Sequence, residues 1–367
     1  MPSRSAGANL QWSRAFSSRV SAFAGAEYRN VSGSSDEIAF VAGRPTSFVN
    51  SGGRESTFSA FAGGSFAPNE RLVLSAGARI DHWREYSAYS DTRPILGTLV
   101  TRSTFPDRSQ TAVSPRLSAL LRVNKSLSLT ASVSRSFRQP TLNELYRSFR
   151  VGNVLTLSNE DLQAERSTTF EAGILASPFG DHVYLRGVGY CVNVDQPVAN
   201  VTLTVTPSLI TRQRQNLGST RSCGLEIDAN SRITSKFNLS AGYLFADARV
   251  REFPADRSLE GLRVPQVPQQ QFTLQARYTD PKIVTTSVQL RAASSQFDDD
   301  QNLFRLRPFA VVDVFASKRL SKNFDLYLAA ENIFGSTIEA GRTTVLTLTN
   351  PPTVRVGVRI RVGRAGN

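Results

Sequence analysis

The chain has 367 residues and a formal net charge of +13, from 43 lysines and arginines against 30 aspartates and glutamates. Its mean hydropathy is -0.22, and no apolar run approaches the ~18 residues of a transmembrane helix, which excludes a helical membrane protein. A β-barrel is not excluded, because barrel strands hide apolar side chains in alternation with polar ones.

Seven short polar turns punctuate the chain and alternate with longer polar stretches. The turns lie at 17–18, 68–70, 124–125, 178–181, 234–236, 280–282 and 321–323. The long stretches lie near 34–52, 88–108, 140–163, 197–215, 253–267, 297–304 and 336–349. Short turns at one end and long loops at the other are typical of an outer-membrane barrel. We therefore predict an all-β fold, an antiparallel transmembrane β-barrel with short periplasmic turns, long outer loops and about 15 strands.

This alternation predicts which residues share a rim. One rim should hold the neighbourhoods of Asn124, Gly180, Ser235, Pro281 and Lys322. The other should hold the neighbourhoods of Ser148, Ser208, Asp256 and Asp299.

Strand facing follows from period-two alternation, which is clearest near the end of the chain. Val354, Val356, Val358 and Ile360 alternate with Arg355, Arg359 and Arg361. The first set is predicted to face lipid and the arginines to face a wet lumen. An arginine at Val358 should then cost about 2–4 kcal/mol if that position lies near the midplane.

The basic charge permits nucleic-acid binding. However, the arginines are spread along the chain, often at every second position, and no basic helix or aromatic-basic module is present. We therefore assign the charge to the lumen and loops, and predict no nucleic-acid partner.

Two cysteines, Cys191 and Cys223, fall on neighbouring predicted strands at similar heights. A disulfide is geometrically within reach, but the alternation of side chains along each strand argues against it, because it places the two cysteines on opposite faces of the sheet. Cys223 shares a face with Leu225 and Ile227, whereas Cys191 alternates in phase with the polar Asn193. The pairing is left open at this point.

Several sequence motifs occur in a particular order along the chain. They are SPRLSALLRVNKSLSLTASVSRSFRQPTLNELY (114–146), LSNEDLQAERSTTFEAGI (157–174), GLEID (224–228), LRVPQVPQQQF (262–272), AENIFGSTIEAGR (330–342) and PPTVRVGVRIRV (351–362). This ordered series resembles the C-terminal part of the TonB-dependent receptors of Gram-negative outer membranes, most specifically over 114–174 and 330–362.

The resemblance implies an architecture. Family members have a 22-stranded barrel around a plug, and this chain matches roughly the last fifteen strands. We expect residues 1–367 to form a single partial β-barrel domain, with the plug, the energy-coupling box and a signal peptide absent. The chain ends VGRAGN rather than in an aromatic residue, which departs from the family pattern and puts efficient membrane assembly in doubt.

The resemblance also implies a function, namely TonB-dependent uptake of a large scarce solute such as a ferric siderophore, cobalamin or a glycan. Expected partners are that solute, outer-membrane lipid and lipopolysaccharide, and TonB only through the missing N-terminal region. We expect a monomer in the bacterial outer membrane that cannot perform energised uptake alone. The alternative is a passive porin-like or adhesion-type barrel.

Candidate binding residues cluster around the segment 135–147. Glu165 and Glu171 lie on one strand face, and with Arg135 and Arg138 they would form a lumenal ion-pair ladder. The following loop adds the candidates Glu144, Tyr146 and Arg147. A structural role in wall electrostatics is favoured over substrate contact for these residues.

Metal and catalytic signals are weak. Asp298, Asp299 and Asp300 offer oxygen ligands for Ca²⁺, although such acidic runs in loops are usually just solvated. The only histidines are His82 and His182, and no G-x-S-x-G, H-E-x-x-H or Gly-rich phosphate loop is present. We predict neither an enzyme nor a cofactor.

Overall fold

The computed structural model describes residues 2–41, 43–280, 282–343, 345–349 and 351–361. The strands are β1 (Ser3–Ala15), β2 (Val20–Val41), β3 (Arg44–Phe66), β4 (Leu72–Pro94), β5 (Thr101–Thr104), β6 (Arg108–Arg122), β7 (Leu127–Arg138), β8 (Phe149–Val151), β9 (Val154–Leu157), β10 (Glu165–Ala176), β11 (Val183–Asp195), β12 (Val198–Val205), β13 (Ile210–Asn216), β14 (Ser219–Arg232), β15 (Phe237–Glu252), β16 (Gln270–Asp280), β17 (Val284–Ala293), β18 (Gln296–Phe297), β19 (Arg305–Leu306), β20 (Phe309–Arg319), β21 (Phe324–Glu331), β22 (Glu339–Gly341), β23 (Thr347–Leu348) and β24 (Thr353–Ile360). One short α-helix, α1, spans Leu142–Tyr146, and single 3₁₀ turns occupy Gly180–His182 and Arg257–Leu259.

A single large antiparallel sheet forms the wall. Its strands follow one another as β1-β2-β3-β4-β6-β7-β10-β11-β14-β15-β16-β17-β20-β21-β24, and β5 adds to β4. This path has fifteen strands, so the predicted all-β class and strand number are confirmed. Three small sheets, β12-β13-β9-β8, β18-β19 and β22-β23, lie within the long connections.

The two faces of the wall differ in chemistry. On one face, here called the outer face, large apolar side chains such as Ile80, Phe170 and Val356 are exposed. On the other, here called the inner face, Arg79 bonds to Glu27 and Asp81. This is the lipid-out, polar-in pattern of a membrane barrel. The outer face of β24 carries Val354, Val356, Val358 and Ile360, each directly opposite an apolar residue of β21.

Two wall strands are taller than the sequence indicated. The stretch 34–52 was predicted as a long loop, and this was wrong. Strands β2 and β3 pair almost continuously from Val20–Phe66 up to Val41–Arg44. The stretch is rich in Ser and Gly and looks like coil, but its backbone groups are satisfied in the ladder above the apolar band.

The two cysteines form a disulfide between β11 and β14. Cys191 lies directly opposite Cys223 in the antiparallel ladder, so the two side chains share a face and the parity argument against pairing was wrong. That argument assumed that Asn193, being polar, lies on the inner face. Polar side chains also occur on the outer face, where the strands extend above the apolar band.

No described helix is long and apolar enough to cross a membrane.

The rim assignment leads to a first testable prediction. Single cysteines at the exposed positions Asn124, Ser235 and Lys322 mark the short-turn rim, and those at Ser148, Ser208 and Ser258 mark the long-loop rim. We expect a membrane-impermeant maleimide to label only the second set on intact cells, because the first set faces the periplasm. Cell lysis is the control and should expose both sets. Equal labelling of both on intact cells would contradict the barrel orientation.

Pro281 and the terminal VGRAGN lie outside the described residues.

Candidate functional site

The segment after β7 turns back onto the inner face of the wall. Pro140 ends ladder pairing because it has no N–H to donate. Thr141 then caps α1 reciprocally: its hydroxyl accepts from the Glu144 amide at 3.2 Å, and the Glu144 carboxylate accepts from the Thr141 amide at 2.8 Å. This capping box is worth about 1 kcal/mol to a helix this short. It fixes the direction in which the helix leaves the strand.

Apolar packing holds α1 in place. Leu145 and Tyr146 are buried in a cluster with Ala88 and Leu162, and the Phe105 ring lies 4.8 Å from the Tyr146 ring. The loop segment 139–164 is therefore packed against the tall strands β3 and β4 rather than extended into solvent.

Ion pairs fasten both ends of the same segment. Arg138 bonds to Glu144 at 2.9 Å and to Glu165 at 2.6 Å, while Arg147 pairs with Glu37 on β2. The buried Arg214 of β13 donates to the carbonyls of Asn143 at 2.9 Å and Arg147 at 3.0 Å. Arg214 thus reaches the carboxyl end of α1, where the Asn143 carbonyl also accepts from the Arg147 amide at 3.3 Å.

The predicted ion-pair ladder is only partly present. Arg138, Glu144 and Glu165 come together as one cluster, with Tyr146 and Arg147 on the same segment. Arg135 is opposite Thr168 and next to Val133 and Phe170, so it lies on the outer face and does not join them. Glu171 is on the inner face, but it accepts from the Ser132 hydroxyl at 2.8 Å. The prediction failed for Arg135 because residues 135 and 138 of one strand have opposite parity.

A cavity of about 510 Å³ lies between this segment and the upper parts of β1, β2 and β3. Arg29, Glu55, Gln139 and Arg147 contribute polar groups to its lining, and Tyr146 contributes its aromatic ring. The mixture of cationic, anionic and amide groups around an aromatic ring suits a polar ligand that carries several oxygen atoms.

Tyr146 is the most unusual of the lining residues. Its hydroxyl is buried, and no described residue shares a hydrogen bond with it. Burial, helped by the negative charge of Glu85, raises the pKa of Tyr146 to about 12. The phenol is therefore a neutral donor at any physiological pH. An unpartnered buried hydroxyl costs about 1–3 kcal/mol.

Glu144 responds to its surroundings in the opposite sense. Burial alone would raise its pKa, but the hydrogen bonds from Arg138 and Thr141 outweigh burial, and the net pKa is lowered from its ordinary value. Glu144 therefore stays ionised. It is engaged in holding the segment and offers no free carboxylate to a ligand.

Sequence reasoning missed several residues of this site. Three side chains that bond to the segment 135–147 come from distant strands. They are Glu37 of β2, Glu55 of β3 and Arg214 of β13. Gln139 donates to Glu55. Strand parity alone would place Glu55 on the face of Ser59 and Asp81, which are hydrogen-bonded to each other. No local signal indicated which loop folds over that face.

The three aspartates suggested for Ca²⁺ are occupied in holding loops together. Asp298 accepts from the amides of Arg342 and Thr343. Asp299 accepts from the amides of Leu303 and Phe304, and Asp300 accepts from the Thr202 amide. In the part of the chain that the structure describes, no group of three or more His, Cys, Asp or Glu side chains is arranged to hold a metal ion. Calcium binding stays a prediction that these contacts do not favour.

A polar-in, apolar-out wall with a loop folded over its inner face is the architecture of an outer-membrane β-barrel. The family "TonB dependent receptor-like, beta-barrel" matches residues 3–333, and this chain belongs to it. That family resides in the bacterial outer membrane and consists of receptors and transporters rather than enzymes.

Individual relatives are distant. The "Probable TonB-dependent siderophore receptor PiuA" of Acinetobacter baumannii is 24% identical over 188 residues, covering 49% of this chain and 24% of the relative. An uncharacterized TonB-dependent receptor of Haemophilus influenzae is 30% identical over 132 residues, covering 36% of each protein. The ferric yersiniabactin uptake receptor FyuA of Yersinia pestis has a similar structure, with a TM-score of 0.75 at 14% identity over 98% of this chain and 54% of that one. The matched regions thus cover 54% of that receptor, and 24% and 36% of the two sequence relatives.

Proposed function

We propose that this chain is the barrel portion of a receptor that captures a ferric siderophore or a similar metal chelate and imports it with TonB-derived energy. The observation that carries the proposal is the loop-capped cavity beneath α1, which Arg29, Gln139 and Arg147 line beside the Tyr146 ring. Two similar proteins support the solute class, since one is a probable siderophore receptor and the other takes up ferric yersiniabactin.

The proposed chemistry is recognition without bond making. A ferric siderophore presents a rigid, oxygen-rich surface that is often anionic. Arginine guanidiniums suit such oxygens because they donate several hydrogen bonds in a fixed planar geometry. The Tyr146 ring supplies an aromatic wall to the same cavity.

The passive porin-like alternative makes a different prediction for the same segment. In a passive pore, an inward loop only narrows the opening, and removing its contacts changes conductance without changing affinity for any solute. In a receptor the same change weakens capture.

Arg147→Ala tests the proposal. We expect the dissociation constant for the cognate ferric siderophore to rise about tenfold or more, because a charge-assisted hydrogen bond is worth about 1.5–3 kcal/mol. Binding would be measured on outer membranes with a panel of iron-loaded catecholate, hydroxamate and phenolate siderophores. Arg150→Ala is the matched control, since Arg150 is exposed and, among the described residues, its guanidinium bonds only to the Gly152 carbonyl.

A second variant separates ligand contact from folding. Arg29→Ala removes an exposed guanidinium that lines the cavity and, among the described residues, forms no ion pair, so the loop should be no less stable while affinity falls. If none of the siderophores binds the unmodified protein, or if both substitutions leave affinity unchanged, the solute class or the site is wrong. A change in conductance alone would favour the passive pore.

A further inference from the structure

Two buried glutamates lie directly opposite each other on the inner face of the wall. Glu55 of β3 pairs with Glu85 of β4 in the antiparallel ladder, so their Cβ atoms are about 5 Å apart. The two residues are only 9% and 2% exposed. We call them the carboxylate pair. Two negative charges directly opposite on a sheet are destabilising, and burial adds to the cost of each charge.

The carboxylate pair lies outside the part of the wall that contacts lipid. The residues that precede the pair in the chain, Arg54 and Arg84, are on the outer face at the same height, and both are exposed. Arg84 forms an ion pair with Asp107 at 2.6 Å. Charged side chains on the outer face place this row above the apolar band, on the side of the long loops.

The segment 139–164, which carries α1, is attached to the carboxylate pair at both ends. At its start, the Gln139 amide donates to Glu55. At its end, the Arg108 guanidinium donates to two main-chain carbonyls, those of Glu160 and Leu162. The same guanidinium lies 3.9 Å from the Glu85 carboxylate. The charge state of the pair is therefore coupled to the attachment of the whole segment.

Two arginines face the carboxylate pair from the neighbouring strands. Arg29 of β2 acts on Glu55, and Arg108 of β6 acts on Glu85. From the segment above, the neutral Tyr146 phenol lies within the electrostatic range of Glu85. The two arginines balance the pair only in part, and Arg108 divides its hydrogen bonds between the wall and the segment.

The protonation of the pair reflects this setting. Burial raises the pKa of Glu85 to about 7; Arg108 opposes the shift and the charge of Glu55 reinforces it. Burial also raises the pKa of Glu55, against the opposing charge of Arg29. Because the two carboxyl groups interact, they titrate as a unit, and one proton stays on the pair until the pH approaches neutrality.

We propose that the carboxylate pair is a proton-controlled latch for the segment 139–164, which covers the candidate site. While the pair holds a proton, it carries at most one negative charge, and Gln139 and Arg108 fasten both ends of the segment to the wall. Loss of the proton places two charges side by side beneath the segment. Lifting the segment admits water to both carboxylates and relieves that cost. The inference concerns the segment itself and does not depend on the imported solute.

The direction of the effect follows from proton linkage. Glu85 has a pKa of about 7 beneath the docked segment, and the ordinary value of 4.5 applies once the segment is lifted into water. The docked state therefore binds the proton more tightly. Docking is strongest below about pH 4.5, weakens by about tenfold per pH unit up to about pH 7, and is constant above that. Acid keeps the site covered, and a rise towards neutral pH favours its opening.

Amide hydrogen exchange of the full chain in detergent micelles, between pH 5 and pH 8, tests the latch. A helix as short as α1 is not stable away from the wall, so protection of the Leu145 and Arg147 amides, which donate to carbonyls within the segment, reports docking. After correction for the intrinsic effect of pH on exchange, we expect their protection factors to fall on the order of fiftyfold from pH 5 to pH 8. Amides of the β10–β11 ladder are the internal reference and should keep their protection.

Three variants assign the effect to the pair. Glu85→Gln keeps the shape of the side chain and cannot ionise, so protection of α1 should stay high and vary by less than about twofold over this range. Glu55→Gln removes the like-charged neighbour of Glu85, and the fall with pH should become smaller. Glu171→Gln is the matched control. Glu171 is an inner-face carboxylate whose described hydrogen bond is to Ser132, and this variant should keep the full response.

Several outcomes would overturn the proposal. They are constant protection of α1 in the unmodified chain, a full response that persists in Glu85→Gln, and loss of the response in Glu171→Gln. An equal fall in the β10–β11 reference would also do so, because it would show unfolding of the wall instead of release of the segment. If Glu85→Gln does not fold, an undiminished fall in Glu55→Gln decides against the latch.

Discussion

Replacing Leu225 by arginine is expected to destabilise the protein by about 2–4 kcal/mol, the cost of a cation on the lipid face near the bilayer midplane. Leu225 lies midway along β14, is 40% exposed, and is next to Phe245 on the outer face. It is a better probe than Val358. The row containing Val358 leads through Leu326 to the charged Lys318, so that row lies near the short-turn interface, where an arginine side chain reaches water.

The measurement is a guanidinium titration of protein refolded into phosphatidylcholine vesicles, followed by tryptophan fluorescence. Ser240→Arg is the control, since Ser240 is on the inner face of β15 between Asn230 and Gln275. A cation there meets water and polar groups, and we expect a change below about 1 kcal/mol. Similar losses in both variants would mean that the two faces do not meet different solvents.

The features that could be predicted from the sequence are local patterns that recur along the chain. Period-two alternation placed Val356 and Arg355 on opposite faces because each residue carries that information itself. The short turns, such as Asn124-Lys125, were found because turn residues occur where the chain must reverse. Both signals need only a few neighbouring residues.

What the sequence could not predict depends on register and on long-range packing. Register decides that Cys191 is opposite Cys223 and that 34–52 is a paired hairpin, and neither strand alone encodes the offset between them. The capping box Thr141-x-x-Glu144 was present in the sequence, but the burial of Tyr146 depends on Ala88 and Leu162, on other elements of the chain. The same limit explains why Glu37 and Arg214 were missed.

The disulfide carries the second large expected effect. The double variant Cys191→Ser, Cys223→Ser should be about 3–4 kcal/mol less stable than the oxidised protein, because the bond joins residues separated by 32 positions and restricts the unfolded chain between them. That loop contains β12 and β13, including Arg214, which holds the carboxyl end of α1. The disulfide therefore also holds together β11 and β14, the two strands that flank this loop, and the loop supports the candidate site.

Guanidinium titration with and without reductant measures this contribution. Reductant should lower the midpoint of the unmodified protein to that of the double variant and leave the double variant itself unchanged. Cys191→Ser alone provides an independent readout. It frees the Cys223 thiol, which should then react with a lipid-soluble maleimide because the pair lies on the outer face beside Phe170. Alkylation of both cysteines in the untreated, non-reduced protein would show that the bond does not form. An oxidised protein no more stable than the double variant would show that β11 and β14 are held in register without it.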